Sequence, residues 1–147
     1  MSPEKRSILM IGIAVVFAVY SILWGLAPFE SINLPARFIL DVSDWPFDKT
    51  KIALDKNTKW LSAISAGLLL AVSIFLGGIV APAIKDKNKS IIRITIVAMV
   101  AWYLLDSIGS IVAGVPSNAF FNTIYLALVL IPLLGGYSKN IEPRERL

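Results

Sequence analysis

The 147-residue chain has no cysteine and no histidine. Without cysteine there is no disulfide, no thiol nucleophile and no thiolate metal ligand. Without histidine the chain lacks the usual haem ligand, the commonest zinc ligand and the commonest general base. A His-ligated haem, a Ser-His-Asp triad and a cysteine-based active site are excluded. No other catalytic motif, metal-ligand set, phosphate-binding loop or cofactor signature replaces them. The sequence therefore predicts a non-enzymatic protein with no metal and no cofactor. Charge is scarce as well, at 16% of residues. A soluble domain carries about 25%.

What fills the chain is apolar. Hydrophobic residues make up 56%, and mean hydropathy is +0.74. The charges gather in short stretches, and the sequence between them is nearly uncharged. A charge in hydrocarbon costs several kcal/mol, so this clustering is the pattern of membrane spans joined by wet connections. Spans of roughly 20 residues are expected at about 7–28, 60–84, 91–114 and 119–137. They take up most of the chain and form a single membrane domain over residues 1–147. The first run is too long for a signal peptide, and Tyr20 and Trp24 near its far end suit a retained span. Pro132 falls inside the fourth run, where it frees one carbonyl.

The segment from Phe29 to Thr58 is the longest connection. Asn33 and Pro35 are helix-start residues there. Leu34, Phe38, Val42 and Trp45 then recur on one helical face, with Arg37, Asp41 and Asp44 on the other side. This predicts an amphipathic helix at about 34–45, lying in the membrane interface with its acids on an exposed polar face. Trp24, Phe38, Trp45 and Trp60 are its expected interfacial anchors. The fold class is thus an all-α membrane protein: four antiparallel spans in a bundle, with a short interfacial helix between the first and second.

The formal charge is +4. Lysine and arginine excess beside spans accounts for it, and no nucleic-acid partner is implied. Of the 14 basic residues, nine lie in the start, the second connection and the tail, and five in the first connection. Both termini are therefore expected on the cytoplasmic side.

One acid falls inside a span. Asp106 is expected about eight residues, roughly 12 Å, below the outer surface. Ser110 and Tyr103 share its helix face, and Asn118, Asn122 and Tyr125 share a face of the fourth helix. Tyr20 and Ser65 come from similar depths, and Arg37 is a candidate cation entering from above. Two roles are open for this group: a proton- or ligand-binding carboxyl in a polar pocket, or an interhelical hydrogen-bond clasp.

The first span ending in Ala27-Pro28, the Arg37-to-Trp45 helix and the Trp102-to-Asn122 stretch together resemble the small, uncharacterised four-helix proteins of bacterial inner membranes in the broad DoxX-like group. The resemblance covers most of the chain in layout. It implies four antiparallel helices in a bacterial inner membrane and carries over no catalytic residues. DoxX itself is associated with terminal-oxidase or thiol-redox partners; a chain without cysteine has no thiol role of its own.

The expected function is action by association, as an accessory subunit of a membrane complex or as a homo-oligomer, with lipid and other membrane subunits, or copies of itself, as partners. The alternatives are a small proton-coupled transporter centred on Asp106 and a lipid- or quinone-binding module beneath the interfacial helix.

Overall fold

The computed structural model describes residues 1–135. The last residues of the expected fourth span and the basic tail lie outside them. The described residues are helical throughout their regular structure, with no strand. The helices are α1 (Pro3–Trp24), α2 (Leu34–Ser43), α3 (Lys56–Lys85), α4 (Lys89–Val112) and α5 (Pro116–Leu134). All but α2 are long and apolar enough to cross a membrane.

Each long helix begins earlier than its apolar run, and capping explains why. Ser2 accepts from the Lys5 amide and precedes Pro3. Asp55 accepts from the Asn57 and Thr58 amides at 2.8 and 3.1 Å. Asn88 accepts from the Ser90 and Ile91 amides. These caps satisfy donors that helix geometry leaves free, so polar first turns join the helices. For α5 the start is Pro116, whose missing N–H is no loss there. The preceding reversal passes through Gly114 at φ +85°, a conformation glycine adopts without strain.

The first helix stops at Trp24, before the expected Pro28. Proline has no N–H to give the Trp24 carbonyl. The Ala27 amide takes that carbonyl instead, at 3.1 Å, which tightens the chain into turns. Within α3, residues Leu76–Val80 form a π-helical turn just before Pro82. Pro82 cannot donate to a carbonyl in the preceding turn, and the wider turn accommodates that loss.

Packing is closest between α1 and α3 and between α4 and α5. Small residues set the first contact. A Cβ on Gly77 would lie 3.3 Å from the Ala14 Cβ. The Ser21 hydroxyl donates to the Ala66 carbonyl, and the Ser7 hydroxyl donates to the Ala81 carbonyl at 2.7 Å. Ser7, Ala14 and Ser21 are seven residues apart, so one stripe of α1 meets α3 along its length. Met10, Ile13, Phe17, Leu76, Ile84, Ile92, Met99, Val129 and Leu133 fill the space where α1, α3, α4 and α5 converge. The approach of α3 to α4 is made chiefly by the last part of α3, Leu76–Lys85.

Arg6 is a bond the sequence did not announce. Its side chain is only 5% exposed. It donates through Nε to the Pro132 carbonyl at 2.6 Å and through Nη2 to the Leu133 carbonyl at 2.8 Å. Those carbonyls belong to the last turn of α5, which carries partial negative charge and lacks intrahelical donors. The first helix thus closes the end of the last one.

Candidate functional site

The short reversal at Gly114 returns α5 along α4, and their polar residues meet. Ser110 lies one turn after Asp106, and its hydroxyl donates to Asp106 Oδ1 at 3.1 Å. Asn118, in the first turn of α5, donates through Nδ2 to the same oxygen at 3.1 Å and to Ser110 Oγ at 2.8 Å. One turn further down, Asn122 Nδ2 lies 3.4 Å from Ser107 Oγ, both buried. Below that, Tyr103 and Thr123 share a hydrogen bond between hydroxyls at 3.1 Å. The result is a polar seam of three levels between two apolar helices. Interhelical bonds of this kind contribute about 0.6 kcal/mol each on average, or about 2 kcal/mol for the four that cross this seam.

Asp106 is only half-buried, and it lies six positions before Val112, the end of α4. It therefore lies about 9 Å inside the helix end. Both of its donors are neutral. Neither ion pair among the described residues includes it. Leu105 and Ile108, 80% and 60% exposed, lie on other sides of the same turns of α4. Both hydrogen bonds to Asp106 use Oδ1, and Oδ2 has no donor among the described residues.

The other expected members of the group divide between neighbouring sites. Tyr125 packs against Phe17 and Tyr20, with ring centroids 5.7 and 6.0 Å away. Tyr20 also packs edge-on against Trp24. Ser65 is half-buried and makes no side-chain hydrogen bond among the described residues. Arg37 forms no hydrogen bond or ion pair with Asp106; it lines a separate cavity with Glu30 and Lys59. The helical face of α2 that holds Arg37 is turned toward the 47–59 loop and the start of α3, which is why it cannot enter the seam.

Tyr20 and Tyr125 line a cavity of about 90 Å³ with Phe38, Ile39, Val42, Ser43 and Phe121, under α2. A serine fixes α2 over it: Ser117 donates to the Ser43 carbonyl at 2.6 Å and accepts from the Trp45 amide at 3.2 Å. Leu34, Phe38, Trp45 and Trp60 are all more than half exposed, whereas Trp24 is half-buried and its indole N–H is enclosed without an acceptor.

Asp41 departs from the expected exposed polar face. It is 3% exposed. Its carboxylate accepts from the Lys49 amide at 2.8 Å, the Asp48 amide at 3.2 Å and the Thr50 hydroxyl. Desolvation by burial pushes its pKa up. The hydrogen bonds from Thr50 and the backbone outweigh that and hold it below the ordinary aspartate value. The acid therefore organises the loop after α2. Asp44, beside it, pairs with Lys49 at 2.6 Å in the open. The partners lie seven to nine residues after Asp41, in an Asp-Lys-Thr run that no helical or turn spacing ties to it.

Among the described residues no group of three or more Asp and Glu is placed to hold a metal ion. Comparison with protein-family models, with curated proteins and with solved structures gave no match.

Proposed function

We propose that the chain is a non-enzymatic, four-span protein of a bacterial inner membrane that works by association, and that the α4–α5 face carries the contact. In this reading the spans are antiparallel, α2 lies in the outer interface, and both termini are cytoplasmic. The observation that carries it is Asp106: a half-buried carboxyl about 9 Å inside a span, bonded through Oδ1 to two neutral donors, with its Oδ2 edge unbonded among the described residues. An acid facing lipid costs about 2.5–3.5 kcal/mol near the middle of a span. A second membrane protein, or a second copy, that covers this edge with a donor removes that cost. Tyr103 and Thr123 extend the same row one turn deeper and add hydroxyls for a partner.

Native mass measurement in mild detergent tests the proposal. The expected result is a homo-oligomer or a co-purifying membrane partner, lost in Asp106→Leu while helicity is kept. A strictly monomeric wild type without partner would count decisively against it. A proton-coupled carrier makes a different demand on the same residue. Asp106→Asn would then abolish proton-linked transport by reconstituted protein without changing its mass.

The cavity under α2 favours one secondary role. Its wall is almost wholly apolar, and its size of about 90 Å³ suits a stretch of acyl chain rather than a quinone head. Lipid occupancy there is compatible with association through α4 and α5, because the two surfaces do not overlap.

A further inference from the structure

On the other side of α2 lies a cavity of different character. It has a volume of about 140 Å³ and is lined by Glu30, Asn33, Arg37, Ala53, Leu54 and Lys59. A single water needs roughly 10–15 Å³ on the same measure, so the space admits a larger group. Its polar atoms are incompletely paired. Asn33 is 4% exposed; its Nδ2 donates to the Ala27 carbonyl, and its Oδ1 is enclosed with no donor. Arg37 Nε is likewise enclosed with no acceptor. Leaving a buried polar atom unpaired costs about 1–3 kcal/mol, more where it belongs to a charged group. These two atoms belong to residues one helical turn apart, Asn33 and Arg37, and both residues line this cavity.

The charges indicate the kind of group that fits. Lys59 pairs with Glu30 at 2.5 Å, and this contact holds the Glu30 carboxyl below its usual range. That leaves the Arg37 guanidinium without a counter-ion among the described residues. A guanidinium matches the oxygens of a phosphate with parallel N–H donors. Asn33 Oδ1, an acceptor, asks the same ligand for a hydroxyl or ammonium. Phe29, Ile32, Leu34 and Trp60, each next in sequence to a lining residue, are more than half exposed, so the segments that line the pocket also carry an apolar rim. A soluble anion gains nothing from that rim, whereas acyl chains do.

We propose that this cavity binds the phosphate ester of a phospholipid headgroup, with Arg37 on the phosphate and Asn33 on a headgroup donor. The site is separate from the Asp106 face and does not depend on association.

The test uses the full-length protein in a mild detergent and native mass spectrometry with two probes, phosphatidylglycerol and a phosphate-free diacylglycerol of the same chains. The expected result is selective retention of phosphatidylglycerol. Arg37→Gln should lower that affinity about tenfold, with Lys51→Gln as a control that removes an equal charge from an exposed position outside the cavity. Lys59→Gln repeats the test without altering the guanidinium, should Arg37→Gln fail to fold. Equal retention by wild type and both cavity variants, or an equal loss in Lys51→Gln, overturns the proposal. So does inorganic phosphate that binds as well alone and displaces the lipid, since the site would then be one for a free anion.

Discussion

Replacing Arg6 with glutamine tests the tie between the first and last helices. The arginine donates two charge-assisted hydrogen bonds, at 2.6 and 2.8 Å, to the end of α5. Hydrogen bonds to a charged group contribute about 1.5–3 kcal/mol each. A cation at a helix C-terminus adds up to about 2 kcal/mol when partly buried, a portion already counted in those bonds. Glutamine keeps part of the length and one amide donor, so it recovers about one neutral bond. The expected loss is about 2–4 kcal/mol. Lysine keeps the charge but reaches one carbonyl as a point donor, so Arg6→Lys should fall about midway. Equilibrium unfolding in mixed micelles, followed by tryptophan fluorescence and repeated at two ionic strengths, reads both values. Because the pair is buried, the loss should change little with salt. A glutamine variant within about 0.5 kcal/mol of wild type, or a loss that vanishes at high salt, would refute a structural latch.

Other substitutions separate the remaining contacts. A double-mutant cycle of Asp106→Leu and Asn118→Leu should give a coupling of about 0.6–1.7 kcal/mol in the same assay; a value near zero would remove the clasp between α4 and α5. Asp41 gives a pH signature. Its folded pKa lies below its ordinary value of 3.8, so its contribution is complete above that value and is lost as pH falls through the lower folded one. The protection of the Lys49 amide, measured against its intrinsic exchange rate at each pH, should therefore be high at neutral pH and fall in acid, with Asp41→Leu unprotected at all pH values; pH-independent protection in both would refute it. Gly77→Leu should weaken the α1–α3 contact by about 1–3 kcal/mol through overpacking against Ala14, and unchanged stability would show that the helices can separate there freely.

The apolar runs made the four long helices readable, because hydrocarbon compatibility is a property of composition. Their ends were less readable. Lys56 to Lys59 and Pro3 to Arg6 look like loop, yet Asp55 and Ser2 cap them into helix. The Asp106–Ser110 pair followed from helical spacing, and Asn118 from depth across a short turn. Tyr125 shares the face of Asn118 and Asn122 but lies two turns along from Asn118, where it packs against Phe17 and Tyr20 of α1, and Ser65 and Arg37 stand on other helices whose rotation is set by packing. The bonds of Arg6 and Asp41 escaped for a different reason. Most of their partners are backbone carbonyls and amides, which every residue carries and no sequence pattern marks.

Arg6 and its acceptors are separated by 126 residues. At about 5–20 residues per second, a ribosome takes roughly 6–25 s to make the chain between them. Throughout that interval the guanidinium emerges, reaches the membrane and has no carbonyl to hold. It must wait in water or among headgroups, and it can settle only when the last helix arrives. Helix α1 is thus made well before it reaches its final surroundings, and completion of α5 becomes a checkpoint for the contact between them. A chain halted before residue 132 should carry nearly nine-tenths of this sequence and still leave Arg6 open to the quality-control proteases that recognise unfinished membrane proteins.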